Sequence, residues 1–324
     1  LNDWIYKAGT NYGISLTTSE TNNDYRKIFA SGAVAGHQPS LSVTYTADIA
    51  PQVDAQYPLN NYSVQTLTPQ LLAYGHDADS FPADAVTYRF TVYKADGTTV
   101  LASSGDVSTP TWTVPSGVLS WGTSYVWTAT TRDGGLTSAN PQKYTLNVTV
   151  PQPVLTSELS QNSDERGFEP SGGNYTNSDT DLDIETAGPS LSVDRDYNSN
   201  DPRTAGAFGA GWSSLYDARA VITRDVTGAE IGVTVTYPDG REVGFGRNLD
   251  GSYSPAPGRY SAFSSLGAGA GFQLVDKSGT TYSFAKALGT GVFGLDSITD
   301  ASKRKETFSF DANSHLQKVT SASG

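Results

Sequence analysis

No cysteine occurs among the 324 residues, which removes disulfide scaffolds, thiol catalysis, iron–sulfur clusters and cysteine-based zinc sites together. Methionine is absent too, position 1 included. The chain opens on Leu1-Asn2-Asp3-Trp4-Ile5-Tyr6 and reads as a segment of something longer. Histidine is confined to His37, His76 and His315, and no pair has the i,i+2 or i,i+4 spacing of a metal clamp. Charged residues make up 17 %, against roughly 25 % in ordinary globular chains. The net charge is −12, and the basic stripe that a phosphate backbone requires is missing, which argues against nucleic acid as a partner. No run approaches the ~18 apolar residues of a membrane-spanning helix. Helical periodicity is nowhere sustained.

Ser, Thr, Asn and Gly stand where the charge is missing, a bias that suits strand surfaces and turns. Eighteen Tyr, twelve Phe and five Trp supply large side chains for several cores. Residues 1–47 hold short alternating runs and end on a strand-like Leu41-Ser-Val43-Thr-Tyr45-Thr46. About 47 residues bury too little core to fold alone, so this piece reads as the tail of a domain. From 51 to 151, between Pro51 and the Val150-Pro-Gln-Pro153 run, seven strand-like runs are expected. They are Gln52–Tyr57, Gln70–Tyr74, Val86–Tyr93, Thr98–Ala102, Thr109–Val114, Thr123–Thr131 and Gln142–Val150. In the third, Val86, Tyr88, Phe90 and Val92 point one way, and Lys94-Ala-Asp-Gly97 signals a hairpin with Gly in the left-handed position. Seven short strands in ~100 residues is the sequence form of an immunoglobulin-like sandwich.

From 154 the texture changes. Fourteen acidic and five basic residues fall within 152–230, a net of −9 and three quarters of the whole excess. Strands joined by like turns follow over 231–324. The turns are Pro238-Asp-Gly240, Asp276-Lys-Ser-Gly279, Asp300-Ala-Ser-Lys303 and Asp311-Ala-Asn-Ser314. Pro presets φ and Gly takes the left-handed site in the first of them. A hairpin reused along the chain is one supersecondary unit whose copies bury their faces against their neighbours. The expected fold is all-β throughout: a partial jelly roll, a sandwich, then hairpin repeats.

Three stretches resemble known families. Leu119-Ser-Trp-Gly-Thr-Ser-Tyr125, followed by Trp127 and Ala129, is similar to the corner before the sixth strand of fibronectin type III domains. That resemblance implies a Tyr125 hydroxyl bonded to upstream backbone. Gly173-Asn-Tyr175, Asp181-Leu182, Gly188-Pro189, Leu191, Arg195, Tyr197-Asn-Ser199 and Phe208-Gly-Ala-Gly-Trp212 resemble the lead-in segment of Rhs/YD-repeat proteins, with the first degenerate repeats after it; Ser314-His315 departs from the family's glycine there. Gly13-Ile14, Leu16, Glu20, Lys27, Phe29, Ser31 and the Leu41–Tyr45 strand resemble the close of a DNRLRE module, a jelly roll related to carbohydrate-binding modules. The Rhs resemblance implies an exported or surface-exposed bacterial protein. Its repeats wind into a hollow β-shell that encloses or displays a variable C-terminal effector, frequently a toxin. Its partners would be the remainder of its own chain and, through the first modules, cell-wall or surface glycans.

Candidate chemistry is sparse. His76-Asp77-Ala-Asp79, with Asp84 nearby, and Asp179-Thr-Asp181-Leu-Asp183 could present oxygens to Ca²⁺ or serve as turn formers and solvated acidic surface. On a regular strand Asp179, Asp181 and Asp183 would share one face and repel unless a cation or an arginine stood between them. Trp4, Tyr6 and Tyr12 are candidates for sugar stacking or for core packing. The sequons at Asn61, Asn147 and Asn174 are expected by chance in a Ser/Thr-rich chain. Gly-rich stretches at 205–211 and 267–271 lack the Lys-Ser/Thr of a phosphate loop, and no nucleophile elbow occurs. No residue is assigned as a catalytic group, cofactor ligand or metal ligand. The sequence points to a non-enzymatic structural and display segment; an adhesin module for polysaccharide or protein is the alternative, and a glycosidase with paired carboxylates a remote third.

Overall fold

Phe90 and Val92 lie two residues apart on one strand and are both fully buried, and that period of two recurs through an architecture made of strands. The computed structural model divides into two units, Leu1–Ala47 and Asp48–Gly324. It describes residues 48–78, 85–155, 166–170, 173–204, 206–313 and 315–323. The expected jelly-roll tail, with Trp4, Tyr6, Tyr12 and His37, lies outside the described residues, as do Asp79 and Asp84. Among the described residues every element is a strand except a 3-10 turn at Leu215–Asp217. No described helix is long and apolar enough to cross a membrane.

The first described part holds β1 (Gln52–Tyr57), β2 (Tyr62–Val64), β3 (Gln70–His76), β4 (Thr87–Tyr93), β5 (Val100–Ser103), β6 (Thr111–Thr113), β7 (Thr123–Asp133), β8 (Leu136–Thr137) and β9 (Tyr144–Val148). Sheet β1-β3-β6 faces sheet β2-β9-β7-β4-β5, with β8 paired to β7. This is an immunoglobulin-like sandwich, and among the described residues β2 and β9 are its one parallel pair. Its core gathers Leu71, Phe90, Val92, Trp127, Leu146 and Val148. Trp127 meets Phe90 at 6.5 Å and Tyr144 edge-on at 6.0 Å. After β4, Gly97 takes the expected left-handed position at φ +66°.

The second part opens with β10 (Phe168–Glu169), β11 (Asn174–Ile184), β12 (Leu191–Asn198) and β13 (Trp212–Ser214), a four-stranded antiparallel sheet in that order. The hairpins follow as β14 (Arg219–Arg224), β15 (Glu230–Thr236), β16 (Glu242–Arg247), β17 (Tyr253–Ser254), β18 (Ala262–Ser265), β19 (Phe272–Val275), β20 (Thr281–Phe284), β21 (Lys286–Gly289), β22 (Val292–Gly294), β23 (Ser297–Thr299), β24 (Lys305–Phe310) and β25 (Leu316–Thr320). They form two six-stranded sheets, β17-β16-β15-β14-β22-β21 and β18-β19-β20-β23-β24-β25, neither of them closed into a barrel. Both sheets contribute to one core. Phe245 and Phe263 stack across it at 4.5 Å, and Phe272 meets Phe293 edge-on at 5.5 Å.

One turn joins the hairpins. The first residue's N–H reaches the carbonyl four residues on, and the fourth residue's N–H returns to the first carbonyl. This holds at Asp225–Ala229, Tyr237–Arg241, Asn248–Ser252, Asp276–Thr280 and Asp300–Arg304, with every bond between 2.8 and 3.1 Å. It is a type I turn closed by a left-handed residue. Glycine fills that left-handed place four times, and Lys303 fills it at φ +67°. An aspartate at the head of the turn also accepts backbone N–H groups: Asp276 Oδ1 takes those of Ser278 (2.8 Å) and Thr280 (2.9 Å). The Thr227 hydroxyl holds the Asp225 carboxyl below the usual range. The backbone N–H groups of Arg304 and His315 do the same for Asp300 and Asp311.

Candidate functional site

The surface that sets this chain apart is the β10–β13 sheet together with the joint between sandwich and hairpins. Along β11 the register departs from simple alternation. Thr180 pairs with Asp194 and Leu182 with Val193, so Asp181 is an extra, bulged residue. The bulge reverses the facing of everything after it. Asp179 lies on the Arg195 face, whereas Asp183 lies with Thr180, Ser192 and Asp194 on the other. The three aspartates therefore do not share one face, which corrects the expectation from alternation. Arg195 takes the place of a cation: it meets Asp181 at 2.6 and 2.8 Å, and Asp179 at 3.8 Å.

The Arg195 face is aromatic. Phe168 pairs with Tyr175 across β10 and β11, and Tyr197 with Trp212 across β12 and β13. Ring centroids lie 6.2 Å apart for Tyr175–Tyr197 and 5.3 Å for Tyr197–Trp212. The Arg195 guanidinium sits 4.9 Å from the Trp212 ring and 5.7 Å from Phe208, a cation–π pair closed by a carboxylate. The opposite face is polar. The hydroxyls of Ser192 and then Thr180 donate to Asp194 and pull its carboxyl down. Burial pushes the Asp196 carboxyl up, against the hydrogen bond from Ser178.

Two locks tie this sheet to the hairpins. Arg203 grips the buried carboxylate of Asp201 at 2.5 Å, the Gly240 carbonyl in the β15–β16 turn, and Glu242 at 3.4 Å. The Tyr216 hydroxyl donates to the Ser192 carbonyl at 2.8 Å.

The joint to the sandwich grows from the corner before β7. Tyr125, 6 % exposed, accepts the Ser120 N–H at 2.9 Å, the backbone contact that the fibronectin resemblance implies. The same corner presents Trp121 to the hairpins. Its backbone N–H donates to Asn248 Oδ1 at 2.9 Å, and its carbonyl accepts from Ser254 Oγ at 3.0 Å. Asn248 is held in turn by its own bonds to Ser252 and Ser254. The indole lies so close to Gly246 that a Cβ there would come within 2.6 Å of the ring. Gln152, from the Pro-rich run, donates to the Gly244 carbonyl at 3.1 Å and accepts its N–H at 2.9 Å. A side-chain amide thus pairs with β16 as a neighbouring strand would. Trp121, Pro151, Gln152, Ile231 and Gly246 are among the residues lining a cleft of about 240 Å³ at this joint.

The remaining candidates scatter. His76 pairs with Asp54 at 2.8 Å and His315 stands 3.2 Å from Asp311, in two different parts. Asp77 has an interaction of its own and is not free. Among the described residues no three His, Cys, Asp or Glu side chains converge as a metal site would. Asn174 is buried and accepts from Ser199 and Asn200, and Asn147 bonds Ser124 and Asn61. One acid stands out that sequence reasoning passed over. Glu306 on β24 is 3 % exposed and its Oε2 has no partner among the described residues. Burial pushes its carboxyl up to about 7. Tyr216 stands near it, its own proton held by burial and then by the Glu306 charge.

Residues 169–245 match a protein family described as a domain of unknown function, DUF6531. The matched stretch runs from β10 into β16, so it takes in the aromatic sheet, the Arg203 lock and the first hairpin. No curated protein matches the chain.

Proposed function

We propose that the chain is a non-enzymatic structural and display segment of an exported, Rhs/YD-type bacterial protein, serving as spacer and as the start of a β-shell that encloses or presents a C-terminal effector. The joint carries the reading. A spacer must hold its parts at a fixed geometry, and here the contacts from Trp121 and Gln152 to Asn248, Gly246 and Gly244 bind a sandwich to the first hairpin sheet through backbone groups on both sides. The reused hairpin supports it as well, since successive strands pair edge to edge into two sheets that share one core. The family match falls on the stretch whose spaced motifs resemble the Rhs lead-in segment.

An antibody raised against the chain tests the reading in the bacterium that makes it. Staining of intact cells, or recovery from the medium, is the expected result. A signal that needs lysis overturns export, and steady turnover of chromogenic glycosides by the purified chain overturns the non-enzymatic role.

A further inference from the structure

We propose that the aromatic face of the β10–β13 sheet docks a basic peptide segment of a partner protein, whose arginine or lysine side chains stack on Tyr175 and Tyr197 with Asp179 as counter-charge. Neither hydrophobic core takes in Tyr175, Tyr197 or Trp212, and Tyr175 is 44 % exposed. A contiguous row of aromatic rings left outside every described core marks an interaction surface. Its charge selects the class of partner. On the Arg195 face Asp179 and Asp181 stand against one arginine, a net negative charge that draws cations.

The face already holds one worked example of the contact. Arg195 lies over Trp212 and Phe208 and is closed by Asp181. One register step along, Tyr197 is paired with Asn177, and Asp179 stands on its diagonal. Asp179 has a side chain 60 % exposed, and its nearest cation among the described residues is Arg195, 3.8 Å away and committed to Asp181. Rings and carboxylate are thus in place for a second cation that no described residue supplies. The ring geometry favours a cation over a sugar. Tyr175 and Tyr197 are tilted by 53° and Tyr197 and Trp212 by 56°, which breaks up the flat platform that a glycan would lie on. A guanidinium needs only one ring and one carboxylate. This surface is independent of the display role and stands or falls separately from it.

The test titrates the full chain against a fluorescein-labelled hexa-arginine peptide, followed by anisotropy at low and at physiological salt, with an uncharged peptide of equal length and a neutral oligosaccharide alongside. Saturable binding of the basic peptide, weakened by salt, is expected. Asp179→Asn and Tyr175→Ala should each weaken it roughly three- to tenfold, while Tyr175→Phe, which keeps the ring, should not. Asp183→Asn removes the same charge from the opposite face and should leave binding within about twofold. Circular dichroism melts check that the exposed positions leave folding intact. An equal loss in Asp183→Asn, no binding at low salt, or tighter binding of the oligosaccharide overturns the proposal.

Discussion

Glu306→Gln should make the protein more stable in alkaline than in acidic solution relative to wild type. The carboxyl is 3 % exposed on β24, beside Phe308 on the buried face, with Oε2 unpartnered among the described residues. Burial pushes it up to about 7 from an ordinary 4.5. Between those two values the folded protein holds a proton that the unfolded chain has released. Stability therefore declines as pH rises through that window and is flat on either side. At about 1.4 kcal/mol per pH unit of displacement, the full loss is about 3 kcal/mol. It is an upper figure, because water and neighbouring groups relax around a buried charge. Glutamine has nearly the same shape and never ionises. The variant should match wild type near pH 4 and exceed it near pH 8 by up to about 3 kcal/mol. Urea unfolding read by far-UV circular dichroism is the assay. The raised Asp196 and the lowered turn aspartates titrate in both proteins and cancel in the difference. A difference that stays constant from acid to alkali would refute the reasoning, because it would mean that Glu306 ionises freely in the fold.

Three further outcomes are expected. Gly246→Val drives a side chain into the Trp121 indole and should cost about 1–3 kcal/mol by overpacking, with a shift in Trp121 emission; an unmoved melt would mean that the joint is loose. Tyr125→Phe leaves the Ser120 N–H without its acceptor and should cost about 1–2 kcal/mol, read as a lower melting temperature; an unchanged one would make the corner bond ornamental. Adding EGTA or Ca²⁺ should leave the melting curve where it is, because Arg195 already neutralises Asp181 and the bulge turns Asp183 away from Asp179. A rise with Ca²⁺ that disappears in Asp179→Asn would contradict that account.

What the sequence made legible was local. Alternation in Val86–Tyr93 foretold β4 and its buried Phe90 and Val92, because residues two apart on a strand face the same way whatever they later touch. Turn chemistry was legible at Pro238-Asp-Gly240, Asp276–Gly279, Asp300–Lys303 and Asp311–Ser314. The same turn at Asp225–Ala229 escaped notice because it lies inside an acidic stretch whose composition masks the strands on either side. The bulge at Asp181 was also out of reach. Nothing in Asp-Thr-Asp-Leu-Asp departs from alternation until β12 brings Val193 opposite Leu182.

The joint was illegible for a stronger reason. Trp121 and Asn248 are 127 residues apart, and Gln152 and Gly244 are 92 apart, so neither pairing leaves a mark within any window of sequence. Each residue has an adequate local explanation that conceals the distant one. Trp121 belongs to the tyrosine corner, Gln152 to a proline-rich connector, and Gly244 and Gly246 to a strand where glycine looks merely weakening. Only the two glycines, in a strand whose alternate positions Val243 and Phe245 are fully buried, hinted that another surface comes close. A Cβ at Gly246 would strike Trp121, and one at Gly244 would come within 2.8 Å of the Pro151 carbonyl. Glycine there is the vacated space in which the sandwich sits. Paired glycines spaced two apart on an otherwise apolar strand are therefore better read as a landing site for another part of the chain than as a weak stretch of sheet.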